Sequence, residues 1–160
     1  MTIKVGDKLP ESTFMTMGPD GAPKPMKTAD VFAGKKVALF AVPGAFTPTC
    51  HKQHMVGFVQ SYDELKKKFD MVACTAVNDV FVLTSWAKDS KADGKIAMLA
   101  DGSAEFAKKV GLEVDLTGRG LGVRSRRYSM LVQDGVVKSL NVEEGPGVEK
   151  SGAPAMCALA

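Results

Sequence analysis

Residues 36–50 read KVALFAVPGAFTPTC, and the fold turns on this stretch. Lys36 to Val42 form a short apolar run with no polar alternation, the pattern of a strand covered on both faces. Pro43 and Gly44 stop it. Thr47-Pro48 then reads as a helix start. Thr47 stands in the N-cap place and Pro48 at the first helical position, where a missing N–H leaves nothing unsatisfied. The helix is expected to run through Phe58 towards Lys67. A strand thus hands over to a helix within a few residues, and Cys50 falls in the first helical turn.

Working outward, residues 71–77 (MVACTAV) give a second buried strand and residues 80–90 read as a helix. Residues 96–99 (IAML) make a short strand, and Asp101-Gly102-Ser103 can cap a helix through Val110. Residues 127–133 and 136–142 flank Asp134-Gly135, a strong hairpin signal. Residues 18–25 (GPDGAPKP) read as a loop, and the tail 146–160 as at best a short helix. Strands alternating with helices, then a hairpin and a last helix, predict an α/β fold: a central mixed β-sheet flanked by helices.

Composition narrows the class. The chain has 160 residues, enough to bury roughly 70% of its unfolded surface as a single domain spanning 1–160. A net charge of +3 is too mild to argue for nucleic acid. No run approaches the ~20 apolar residues that cross a membrane. The N-terminus lacks an apolar signal core, which reads as a cytoplasmic chain. The three cysteines, Cys50, Cys74 and Cys157, are widely spaced and odd in number. No C-x-x-C occurs, which argues against a thioredoxin-type dithiol and against zinc, and fits reduced thiols in a reducing compartment. His51 and His54 lie near Cys50 without further ligands at metal spacing. Gly118-x-Gly120-x-Gly122 lacks the spacing of a dinucleotide loop.

Cys50 carries the chemical signal. The unpaired N–H groups and positive dipole end of a first helical turn favour a thiolate, the nucleophilic form of cysteine. The Thr47 hydroxyl, one turn back, can reach towards the sulfur. Pro43 can wall the sulfur off without competing as a donor. The alternative is an inert buried cysteine beside a turn.

Pro43-x-x-x-Thr47-x-x-Cys50 resembles the active-site motif of the peroxiredoxins, and VPGAFTPTC resembles the subfamily called peroxiredoxin five, or type II. The likeness extends to His54, Gly57 and Phe58, to Ala76-Val77-Asn78-Asp79 with Phe81 and Trp86, and to Leu99-Ala100-Asp101. It continues through Gly120-Leu121-Gly122-x-Arg124-Ser125-Arg126-Arg127-Tyr128 and Val132-Gln133-Asp134-Gly135. The resemblance implies a thioredoxin-like fold and reduction of hydroperoxides, with no metal, haem or flavin. It implies Cys50 as the peroxidatic cysteine, assisted by Thr47, Pro43, the main chain at Gly44 and Cys50, and Arg127. Arg126 and Arg127 would face opposite sides of a strand, and the residues alone do not choose between them. The resemblance aligns Arg127. Arg119, Arg124 and Arg126 read as a solvated basic surface. Phe46, Phe81 and Leu121 could line the peroxide entrance or a subunit contact, with plain packing the alternative.

The resemblance also bears on how the oxidised sulfur is reset. Some members carry a resolving cysteine where this chain has Lys150. Cys74 and Cys157 remain as possible resolving thiols, Cys74 reading also as a buried small hydrophobe. The expected route is attack by an external thiol, glutathione with glutaredoxin or thioredoxin, in a homodimer. His54 is expected to help hold the active-site helix, and His51 has no assigned role. The rival readings are a protein thiol–disulfide oxidoreductase and a redox-responsive binding protein or chaperone.

Overall fold

The computed structural model describes residues 1–159. Its strands are β1 (Thr13–Met17), β2 (Pro23–Lys27), β3 (Lys36–Val42), β4 (Met71–Ala76), β5 (Ala97–Ala100), β6 (Glu113–Asp115), β7 (Val123–Ser125), β8 (Tyr128–Gln133) and β9 (Val136–Val142). Its α-helices are α1 (Thr28–Phe32), α2 (Val56–Gln60), α3 (Tyr62–Lys68), α4 (Val80–Asp89), α5 (Glu105–Lys109) and α6 (Ala153–Cys157). A π-helical turn, Cys50–Met55, leads into α2.

Seven strands form one sheet in the order β2-β1-β5-β4-β3-β8-β9. β3 runs parallel to β4 and antiparallel to β8, so the sheet is mixed, as expected. The apolar run of β3 has a direct cause. Ala38, Phe40 and Val42 point into one core with Phe58, Leu83 and Trp86. Val37, Leu39 and Ala41 point into the other with Phe14, Phe32 and Phe106. Each face is covered, so neither face of the strand tolerates a polar residue. Phe40 stacks on Phe58 at 4.0 Å between ring centroids, tying the helix after Cys50 to the sheet beneath it. Burying two such rings stabilises the layer by several kcal/mol, at ~1.5–3 kcal/mol each.

The Asp134-Gly135 hairpin is present, with φ of +49° and +77° at the two turn residues, the signs that a two-residue type I′ turn requires. Asp101 caps its helix from a distance: its carboxylate accepts from the N–H groups of Phe106 and Ala107. The loop expected over 18–25 is shorter. Gly18 N–H bonds Ala22 O, and β2 begins at Pro23. Pro23 and Pro25 sit in this strand because it lies at the sheet edge, where a missing donor breaks no ladder. The strands β6 and β7 form a separate two-stranded ladder that the glycines of 118–122 hide in the sequence. Among the described residues no helix is long and apolar enough to cross a membrane.

Candidate active site

β3 ends at Val42, and the chain turns over Pro43–Thr47 before the helix begins at Pro48. Three contacts shape the turn. Thr47 Oγ1 donates to Gly44 O at 2.7 Å. Ala45 N–H donates to Asn78 Oδ1 at 2.9 Å. Arg124 Nη1 reaches Pro43 O at 3.3 Å. A Cβ on Gly44 would stand 2.9 Å from Arg124 Nη1 and 3.2 Å from Thr47 Cγ2, so glycine here is a matter of space. Phe46 takes φ +63° and is 48% exposed. Thr47 holds the N-cap place, since His51 N–H bonds its carbonyl. Its hydroxyl does not cap: it donates back into the turn. That leaves the lone pairs of Oγ1 free to accept from a ligand.

Cys50 is 1% exposed and opens the π-helical turn, a widened helical form that recurs at functional sites. Arg127 Nη2 donates to its Sγ at 2.9 Å. Arg127 itself is 7% exposed. Arg126 and Arg127 lie in the two-residue link between β7 and β8, not on a strand as expected, and Arg126 Nη2 lies 3.5 Å from Glu143 O. The sheet explains how a residue so far along the chain arrives here. β8 pairs antiparallel with β3 and places Tyr128 opposite Ala41. Arg127, one residue earlier, therefore lies at the sheet end where β3 gives way to the Cys50 turn.

A second bond aims the guanidinium. Arg127 Nη1 lies 3.1 Å from His54 Nδ1, and His54 Nε2 lies 2.8 Å from Ser151 O. A carbonyl only accepts, so Nε2 carries the hydrogen. Burial, aided by the Arg127 charge and opposed by the Ser151 hydrogen bond and Glu143, pushes the His54 pKa down to about 4. The ring is therefore neutral at pH 7, and its bare Nδ1 accepts from Arg127. Both nitrogens are engaged, which leaves no lone pair for a metal.

This shift has a measurable consequence. Unfolded, the ring titrates near its ordinary 6.5; folded, near 4. Between these values the unfolded chain binds the extra proton, so stability falls as pH drops from 6.5 towards 4. The full loss attached to this ring is about 3 kcal/mol. Urea unfolding across that range should show a steeper loss for the wild type than for His54→Gln. Equal slopes would mean that the ring is not held neutral.

His51, beside Cys50 in sequence, faces elsewhere. Its Nδ1 accepts from Trp86 Nε1 at 2.9 Å, its Nε2 lies 3.6 Å from Asp89, and its ring stacks with Phe46. These bonds fasten the π-helical turn to α4. No local signal in the sequence marks His51, Glu143 or Ser151 for their contacts with Trp86, Arg127 and His54, which lie distant along the chain. Arg124, read as solvated surface, instead clamps the carbonyls of Pro43 and Leu121. Leu121 is half-buried and Phe81 is exposed. No disulfide joins the three cysteines. Cys74 lies inside β4, fully buried on the Cys50 side of the sheet, and burial drives its thiol pKa well up. Cys157 is partly exposed at the end of α6.

The redoxin family pattern matches residues 4–156. The chloroplastic peroxiredoxin-2E of Arabidopsis thaliana is 50% identical over 159 residues, covering 97% of this chain and 68% of that protein. Among solved structures, reduced Prx3 of Vibrio vulnificus in complex with hydrogen peroxide superposes with a TM-score of 0.93. It is 44% identical, and the match covers 98% of each chain. A Burkholderia cenocepacia chain, named provisionally as a thioredoxin reductase, gives 0.95 and 41%, covering 100% of this chain and 99% of that one.

Proposed function

The chain belongs to the redoxin family and, within it, to the peroxiredoxins, and on that premise we propose that Cys50 reduces hydrogen peroxide and organic hydroperoxides with an external thiol as the electron source. The observation that carries the reading is the 2.9 Å bond from a buried, His-braced Arg127 to the sulfur of Cys50. The type II string VPGAFTPTC and the Arabidopsis relative support the peroxiredoxin-five subfamily.

In this mechanism the Cys50 thiolate attacks one peroxide oxygen. An S–O bond forms, the O–O bond breaks, and the leaving oxygen takes a proton to depart as water or an alcohol. Cys50 is left as a sulfenic acid. Peroxide is neutral, so the rate comes from alignment and from stabilising the charge that moves onto the leaving oxygen. Arg127 supplies fixed donors to both sulfur and peroxide. Thr47, its own proton spent on Gly44, accepts from the peroxide O–H. The main-chain N–H groups of Gly44 and Cys50 add donors. Pro43 shields the sulfur, while Phe46 and Leu121 flank the entrance. No C-x-x-C is present, which weighs against a protein dithiol oxidoreductase. A binding protein or chaperone would have no need of an arginine aimed at the sulfur.

Resetting runs through one cysteine. Lys150 stands at the tail position where some relatives resolve, and Cys74 is sealed in the sheet. Glutathione with glutaredoxin, or thioredoxin, attacks the oxidised Cys50, and a second thiol frees it. Residues 1–160 work as one domain, with strands from both ends of the chain in the same sheet. The functional unit is a homodimer meeting through loops near the active site, where exposed Phe46 and Phe81 supply apolar surface. The odd, widely spaced thiols fit a reducing compartment such as the cytoplasm.

The test is mass spectrometry after one equivalent of peroxide without reductant. Oxygen is expected on the Cys50 peptide, with no Cys50–Cys74 or Cys50–Cys157 disulfide. Turnover with glutathione/glutaredoxin and with thioredoxin then separates the two reductants. Cys74→Ser should keep turnover within about twofold of wild type, because the residue acts as a small buried hydrophobe. A large loss would make Cys74 the resolving thiol.

A further inference from the structure

We propose that Glu143 is a positioning residue for Arg127, acting through Ser151 and His54. The proposal rests on the reading of Cys50 and Arg127 as the reacting pair.

Glu143 follows β9 and is buried. Its N–H donates to Arg127 O at 2.9 Å. Its Oε2 collects three donors: Lys150 N–H at 2.7 Å, Ser151 N–H at 2.6 Å and Ser151 Oγ at 2.7 Å. Ser151 O then receives His54 Nε2, His54 Nδ1 receives Arg127 Nη1, and Arg127 Nη2 reaches Cys50 Sγ. The circuit begins and ends on Arg127, gripping its main chain and its guanidinium.

The segment between Glu143 and Ser151 reads EGPGVEK and forms no helix or strand. Nothing in its own backbone pattern fixes the Ser151 carbonyl. The Glu143 carboxylate does so at one end, and buried Ala153 and Met156 do so at the other. Burial pushes the Glu143 pKa up, but the hydrogen bonds from Ser151 and its neighbours outweigh this and hold it below the ordinary range. The carboxylate therefore stays charged at neutral pH and keeps its donors.

Loss of that anchor acts at a distance. With the Ser151 carbonyl adrift, His54 Nε2–H loses its acceptor, and the imidazole is free to move its hydrogen to Nδ1. That tautomer sets N–H against N–H at Arg127 and displaces the guanidinium from the sulfur. Glu143 touches neither peroxide nor sulfur, so its effect passes through the tautomer of His54.

The experiment compares wild type, Glu143→Ala, Glu143→Gln and Glu143→Asp. It measures the rate of Cys50 oxidation by hydrogen peroxide, the His54 tautomer by ¹⁵N NMR of the imidazole, and the Tm. Alanine should slow the peroxide step about tenfold or more and convert a single Nε2–H tautomer into a mixture. Glutamine keeps an acceptor at the same reach and should recover the rate to within about threefold. Aspartate keeps the charge but not the reach, and should behave like alanine. If alanine does not fold, the contrast between aspartate and glutamine decides alone. Variants that lose Tm but match the wild-type rate and keep one His54 tautomer would reduce Glu143 to a structural role and overturn the proposal. If the wild type is oxidised at another cysteine, the peroxidase reading itself fails, and that outcome is visible before any variant is compared.

Discussion

Cys50→Ser is expected to abolish peroxide turnover, with a loss of at least about a thousandfold, because serine at neutral pH offers almost no anion to attack an O–O bond. The substitution replaces sulfur by oxygen and nothing else, at a site 1% exposed. The fold should survive it, and circular dichroism and Tm should stay near wild type. The measurement is peroxide consumption with glutathione/glutaredoxin and, separately, with thioredoxin. Activity that persists in the serine variant would move the chemistry to Cys74 or Cys157. Neither fits: Cys74 is sealed in β4, and the cause of its raised pKa, burial, opposes the thiolate. Burial likewise raises the Cys157 thiol, with Glu64 adding to the shift.

Arg127→Ala should have the next largest effect. One guanidinium supplies the 2.9 Å donor to Sγ and the 3.1 Å donor to His54. Removing a donor aimed at developing charge in a dry site costs about a hundredfold to a thousandfold in the chemical step. The loss should appear in the second-order rate with peroxide, measured in a single turnover before the reductant acts. Arg126→Ala, by contrast, removes only a marginal 3.5 Å contact to Glu143 O, and should slow the same step by less than about threefold. Arg127→Lys is the informative control. It keeps the charge but loses the planar fork, so it cannot serve sulfur and His54 together, and little activity should return. If Arg126→Ala proved the more damaging change, Arg127 would not be the donor that activates Cys50, and the mechanism built on its 2.9 Å bond to Sγ would fall.

The elements that the sequence reveals are those specified by neighbours. KVALFAV reads as a doubly buried strand because both of its faces meet core. Asp134-Gly135 reads as a hairpin because only certain residues accept two positive φ angles in succession. PGAFTPTC reads as a helix entry because proline at the first helical position forfeits no bond. Where a local signal is ambiguous, the reading misses. Pro23-Lys24-Pro25 looks like the end of a loop, since proline argues against a strand, yet at a sheet edge the argument has no force. Arg124 looks like surface charge, yet two backbone carbonyls hold it.

By itself the sequence determined an α/β sheet, a strand-to-helix turn carrying Cys50, and a set of residues suited to activating a thiol. The resemblance aligned Arg127, but only the tertiary structure showed its guanidinium at the sulfur, what tautomer His54 adopts, and that Glu143 and Ser151 belong to the same circuit. The physical reason is range. Propensities, caps and turns act over a few residues, whereas Arg127 lies 77 residues from Cys50 and Ser151 lies 97 from His54. Such partners meet only because β8 lies beside β3 in one register and the tail packs back on the core, and hydrogen bonds between side chains exist only once that packing has placed them.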